Sequence, residues 1–179
     1  MLFFSFLLFL TIPSLTLTTN MRGKVKFYRV NKAGETPTEY IGTLRLTQFP
    51  DGRIRINRNL VKLPRGFHGF HIHERPDLSN GCLAAGPHLN LHNMTHGGLR
   101  SKVKHEGDLG NIYANKYGLA RVNVIVSGLE FGPPFNLFNR SIVVHERIDD
   151  LGRVGDAGSL STGNSGARIA CGLIVPLDD

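Results

Sequence analysis

The chain has 179 residues, of which 41% are apolar and 20% charged, a balance that buries one core and excludes a disordered polymer. Its formal net charge is +7 and its sequence pI is about 9.8, so the folded part is distinctly basic. With 21 glycines, 9 prolines and no tryptophan, long continuous helices are disfavoured, which excludes a helical bundle, a coiled coil or a multi-pass membrane protein.

Residues 1–10 (MLFFSFLLFL) match the apolar centre of a secretory signal peptide, and Pro13 with the small residues up to Thr19 supplies a cleavage region. Residues 1–19 are therefore predicted as a cleaved leader and 20–179 as the mature domain. A retained membrane anchor is the competing reading, because the uncharged stretch approaches the roughly 20 residues that cross a bilayer. Pro13 and the threonines thin out its second half. Met21 is an alternative start that would omit the leader. Two glycosylation acceptor sequences, Asn93-Met94-Thr95 and Asn139-Arg140-Ser141, agree with export. Cys82 and Cys171 are the only cysteines, an even pair that an oxidising compartment lets close, with two buried free thiols as the alternative.

From Arg22 the pattern alternates with period two: Lys24 and Lys26 against Val25 and Phe27, then Arg53 and Arg55 against Ile54 and Ile56. Pro50-Asp51-Gly52 is turn chemistry between two such runs, so residues 40–48 and 53–59 form a predicted hairpin. Further strands are predicted over 66–73, 119–127, 141–145 and 169–175. Many short strands without a helical period predict an all-β chain, an antiparallel sandwich or barrel. Residues 74–106 and 146–167 lack strand character and are rich in Gly, Asp, Asn and Ser. Loops that long in a compact domain are commonly functional.

Seven of the 8 histidines fall between His68 and His105. His71 and His73 are two apart in a predicted strand, so both imidazoles point to one face and reach one ion. His88, His96, His105 and Asp108 offer three imidazoles and a carboxylate, a closed tetrahedral set of the kind zinc accepts. His145 is a candidate partner for His71 and His73, since a planar set of imidazoles suits copper(II). Asp149, four residues on, is a carboxylate that can orient ligand rings from behind.

Several segments, in order, carry a resemblance: residues 66–73 (GFHGFHIH), Gly81-Cys82, 85–90 (AGPHLN), His96-Gly97-Gly98, 105–111 (HEGDLGN), 144–146 (VHE), 149–152 (DDLG) and 162–168 (TGNSGAR) with Ala170-Cys171-Gly172. Over residues 66–174 the chain closely resembles copper/zinc superoxide dismutases. The strands before residue 66 agree in pattern only.

The resemblance implies a Greek-key antiparallel β-sandwich or barrel with two long functional loops, of immunoglobulin-like architecture. It implies copper on His71, His73, His88 and His145, and zinc on His88, His96, His105 and Asp108, with His88 bridging both ions. Asp149 would bond His71 and His96, Arg168 would stand beside the open copper face, and Cys82 would pair with Cys171. The implied reaction is disproportionation of superoxide, with His88 handling a proton and Arg168 drawing in the anion. His68 matches a packing histidine, and His92 matches nothing and is expected in solvent.

Some positions depart from the family pattern. Ala157-Gly158 replace an acidic pair and Ser161 a common lysine in the second loop, while Arg147 is kept, which predicts retained activity with an altered salt dependence. Arg75-Pro76, Asn139 and Val175-Pro176 map near the family's dimer interface, so a homodimer would have to use an altered surface. An alternative reading is a secreted relative that buffers copper or binds polyanions without turnover, through Arg22, Lys24, Lys26, Arg53, Arg55 and Arg58 and the cluster Arg100, Lys102 and Lys104. A solvated basic face competes with polyanion binding and is favoured, because no aromatic or phosphate-cradling pattern accompanies the charge, and no nucleic acid partner is expected of an exported chain.

Overall fold

The structure, a computed structural model, describes residues 21–177; the leader predicted at 1–19 lies outside the described residues. Among the described residues eight strands form: β1 (Arg22–Arg29), β2 (Glu39–Gln48), β3 (Ile54–Leu60), β4 (Gly66–His73), β5 (Asp108–Ala114), β6 (Ala120–Val126), β7 (Ser141–His145) and β8 (Arg168–Pro176). They close into one antiparallel barrel in the order β1-β2-β3-β6-β5-β4-β7-β8. The pairings of β3 with β6 and of β4 with β7, which require the β3–β4 and β6–β7 connections to cross the barrel, give it the Greek-key character.

Alternation fixes which side of each strand enters the core. In β6, Ala120, Val122, Val124 and Val126 are buried while Arg121, Asn123 and Ile125 face out. Val25 and Phe27 of β1, Leu44 and Leu46 of β2, and Ile54 and Ile56 of β3 do the same, and these residues join one cluster with Phe70 and Ile72. The β2–β3 hairpin turns where the sequence predicts: Phe49 N donates to Arg53 O (2.8 Å), and Gly52 N returns to Phe49 O (2.9 Å).

β4 and β7 differ, because both of their faces are covered. Phe70 and Ile72 point into the barrel, while His71 and His73, on the opposite face, are at most 1% exposed. In β7, Ile142 and Val144 point inward, and Val143 packs outside against Cys82, Ala85 and Cys171. The outer cover is the pair of long loops, 74–107 and 146–167. The first is stitched to β4 through Ile72, whose N–H donates to Gly107 O and whose carbonyl accepts from Leu89 N, each at 2.9 Å. The second is tied down by Glu146 N to Ala167 O (2.7 Å) and Arg147 N to Ser165 O (2.9 Å).

Two elements depart from the sequence reading. β5 is a full strand over a segment assigned to none, and residues 157–162 of the second loop form a short helix, α1 (Ala157–Thr162). Asp156 caps it by accepting from Ser159 N (2.7 Å). Gly163 ends it at φ 66°, the left-handed conformation that glycine tolerates. Arg75, Asn139 and the end of β8 come together on one face: Ser141 Oγ donates to Arg75 O (2.9 Å), and Ile174 N to Arg140 O (3.0 Å).

Candidate metal centre

His71, His73, His88 and His145 form one set of four donors, and His88, His96, His105 and Asp108 a second, with the donor atoms of each set within 4.8 Å of one another. β4 carries His71 and His73, and β7 brings His145 alongside. The first loop carries His88, His96 and His105, and β5 begins with Asp108. His88 lies in the loop residues that bond to Ile72, and the bridge between His73 and His88 continues the sheet by one pair. Register shifts beside His71 on β4 and His145 on β7 mark bulges, which re-aim side chains at the rim of a barrel.

Hydrogen bonds decide which nitrogens are free to bind an ion. His73 Nδ1 donates to Gly86 O (2.8 Å) and His145 Nδ1 to Gly166 O (3.2 Å); a carbonyl only accepts, so both protons sit on Nδ1. The two Nε2 lone pairs then face each other at 3.3 Å. His71 Nε2 donates to Asp149 Oδ2 (2.9 Å), which leaves a lone pair on Nδ1. That atom and His88 Nε2 are buried with no hydrogen-bond partner among the described residues. Burial, with His88 and His145 adding to it, holds His71 well below the usual imidazole range, and burial, then His88, pulls His145 down to about 3. The first set therefore presents four neutral imidazole donors converging on one point, which fits copper.

The second set converges on the Asp108 carboxylate. Asp108 Oδ1 lies 2.9 Å from His88 Nδ1, 3.0 Å from His96 Nδ1 and 3.2 Å from His105 Nδ1. Donors around a tetrahedral ion at 2.0–2.1 Å stand about 3.3 Å apart, so these separations suit zinc. Asp108 Oδ2 is held from behind by His105 N (2.8 Å) and Gly97 N (3.0 Å). Against the burial that raises it, the bonds from His105, His88 and His96 hold the Asp108 carboxyl far below the ordinary range. For His96 burial is likewise overcome, and the Asp108 and Asp149 carboxylates lift it to about 9. The site thus attracts a cation, and a proton on His96 answers that demand when no metal is bound.

Asp149 is 1% exposed and joins the sets from behind. Its Oδ1 accepts from His96 Nε2 (2.8 Å) while its Oδ2 accepts from His71 Nε2 (2.9 Å). These three residues form a third close group, but the carboxylate is occupied by ring protons, so the group orients ligands and does not hold a further ion. Asn111 clamps the Asp149 backbone from β5, donating to its carbonyl (2.9 Å) and accepting from its N–H (2.8 Å). Gly163 lies against this carboxylate. A Cβ there would collide with Asp149 Oδ1 and approach His96 Nε2 to 2.5 Å.

Arg168 stands opposite His145 in the β7–β8 register. Its Nη1 donates to Cys82 O and its Nη2 to Gly86 O, both at 2.6 Å. Gly86 O also accepts from His73, so one carbonyl aligns a donor ring and the guanidinium. Cys82 and Cys171 are disulfide-bonded with Cα atoms 6.1 Å apart, which rules out the two-free-thiol alternative. His68 stays out of both sets, bonding Pro64 O and His145 O at 2.8 Å each. His92 is exposed as expected and is paired with Glu106. Asn93 and Asn139 are both exposed. Sequence reasoning missed Asn111, Gly86 and Gly163 as supports of the site; only the density of their neighbourhoods in matched segments marks them.

The family profile for copper/zinc superoxide dismutase matches residues 40–174, beginning at β2 and so extending the likeness beyond residue 66. The extracellular superoxide dismutase (Cu-Zn) of Caenorhabditis elegans is 41% identical over 148 residues, 83% of this chain and 66% of that protein, so the chain spans just under two thirds of that relative's length. Among solved structures, the clock protein EA4 superposes with a TM-score of 0.79 at 34% identity, covering 90% of this chain and 98% of its own. A closed Greek-key barrel, two donor sets sharing one histidine, and a profile match over most of the sequence lead to one assignment: the chain belongs to the copper/zinc superoxide dismutase family.

Proposed function

We propose that this chain disproportionates superoxide, with copper held by His71, His73, His88 and His145 and zinc by His88, His96, His105 and Asp108. One observation carries the reading: His88 aims its two ring nitrogens at different donor sets, Nδ1 at Asp108 Oδ1 (2.9 Å) and the buried, unpartnered Nε2 at the imidazoles of His71, His73 and His145. Held there, copper would supply the one-electron couple that disproportionation needs, and zinc would be bound by four protein donors with a structural role.

The rest of the work falls to side chains. Two superoxide anions and two protons become oxygen and hydrogen peroxide, so a proton donor is needed. His88 Nε2 is placed to take up and release one, with its ring held by the Asp108 bond. Arg168, half-buried and fixed by the Cys82 and Gly86 carbonyls, keeps a positive charge beside His145, and a small anion is drawn to it. Burial lowers the Arg168 pKa from its usual value, yet a guanidinium remains charged at neutral pH. The closed stitching of both loops over β4 and β7 keeps bulk water from the donor rings.

Export belongs to the same reading. It is supported by the extracellular relative, by the disulfide and by the exposure of Asn93 and Asn139. The test is metal analysis of the purified protein beside His88→Ala. The parent should retain close to one copper and one zinc per chain, and the variant should lose zinc and show an altered copper spectrum. Equal metal content and identical spectra in both would contradict the shared-histidine reading.

A further inference from the structure

β5 and β6 are joined at a single register pair, Ala114 with Ala120, and diverge beyond it. The gap between them is a groove of about 1160 Å³, walled on the far side by residues 98–101 and Lys104 of the first loop and by Leu151 and Arg153 of the second. Four cations line it, Arg53, Arg100, Lys104 and Arg153, and no carboxylate does. Arg53 is matched by Asp51, its Nη2 lying 2.7 Å from Asp51 Oδ2. Lys104 is half-buried, and its Nζ donates to His105 O (2.9 Å); it feels the fields of Asp108 and Glu106 but forms no ion pair with either. The guanidinium groups of Arg100 and Arg153 have no hydrogen-bond or ion-pair partner among the described residues, and both residues are exposed. Three like charges, two from the first loop and one from the second, therefore meet in one concavity, whose walls also include apolar Leu99, Ile125 and Leu151.

Like charges gathered in a cleft repel one another, and a low-dielectric wall focuses their field outward. A single monovalent anion would leave most of that charge unmatched, whereas charge-assisted bonds to several anionic groups on one molecule would satisfy it. The size of the groove and its apolar lining suit a ligand with an organic body. We propose that the β5–β6 groove binds a compact organic molecule bearing two or more sulfate or phosphate esters, through Arg100, Lys104 and Arg153. Occupancy also ties Arg100 and Lys104 to the second loop, and so orders the segment between His96 and His105.

No residue of either donor set lines the groove, so binding is tested on the metal-loaded protein without reference to turnover. Sucrose octasulfate and fructose 1,6-bisphosphate serve as sulfate and phosphate probes in calorimetric titrations of three proteins: the parent, Arg100→Gln/Arg153→Gln, and Lys102→Gln/Lys116→Gln. The last removes the same charge at exposed positions outside the groove lining. The expected result is saturable parent binding of at least one probe, weakened tenfold or more in the groove variant and less than twofold in the control. The probe that binds more tightly identifies the ester class. Hydrogen exchange should show residues 98–104 protected by that probe in the parent alone. Equal weakening in both variants would reduce the effect to net charge and overturn the proposal, as would the absence of saturable binding of either probe.

Discussion

Asp149 touches a ring from each donor set and belongs to neither, so its effect must be exerted through the orientation of His71 and His96. Removing the carboxylate frees both rings to rotate and removes the bond that keeps their Nδ1 lone pairs inward. Partners of this kind commonly set metal affinity by about 10- to 100-fold. Asp149→Ala is expected to weaken zinc by an amount in that range while the barrel still folds, as read by competition with a chromophoric chelator. Unchanged zinc affinity would remove Asp149 from the account. The role of Asp149 was legible in the sequence only through the resemblance, because four residues from His145 a carboxylate is ordinarily a turn residue. Asn111 was invisible for a related reason: its function is a pair of bonds to the Asp149 backbone, 38 positions away.

Among the elements, the first loop does the most positioning and has the least regular structure of its own. It is fixed by Ile72, by the isolated bridge at His88, and by the disulfide that anchors Cys82 to β8. Cys82 also offers its carbonyl to Arg168, so the covalent link and the position of the guanidinium are coupled. Opening the disulfide should cost about 4 to 5 kcal/mol on chain entropy for a loop of this length. The Cys82→Ala/Cys171→Ala variant is therefore expected to melt well below the parent and to lose activity before it unfolds. A variant whose turnover matches the parent at every temperature below its own melting point would separate the two effects and contradict the coupling. β5 escaped the sequence reading because it opens on Asp108 and Gly110, residues poor in strand propensity, and its start is fixed by ligation geometry. α1 escaped because six residues are too short to display a helical period.

Over the whole molecule, alternation and turn chemistry were the legible part: β2, β3, β4, β6, β7 and β8 lie within a residue or two of their predicted bounds, and β1 starts at Arg22 where the alternation begins. The sequence left sandwich and barrel side by side, since the choice depends on β1 pairing with β8 across most of the chain. The charge distribution leads to a further expectation. Beyond the capping Asp156, Ala157 and Gly158 add no carboxylate to the first turn of α1, and Arg168 keeps a fixed positive charge near His145. Exposed charges are screened over a Debye length of about 10 Å at 0.1 M salt. The rate constant for superoxide should therefore fall as ionic strength rises. Arg168→Gln should lower it roughly tenfold at low salt, on the order of 1.4 kcal/mol, with copper content unchanged. A rate indifferent to salt would contradict attraction of the anion by this surface.

The central claim is that these two donor sets, joined by His88, support catalytic consumption of superoxide. Its most direct measurement is superoxide decay followed by pulse radiolysis on the copper- and zinc-loaded protein, with the metal-depleted protein as reference. The account predicts decay that is first order in protein, that continues through many equivalents of superoxide per chain, and that is lost on depletion and restored by adding both metals. Fully loaded protein that consumes no more superoxide than its depleted form would contradict it.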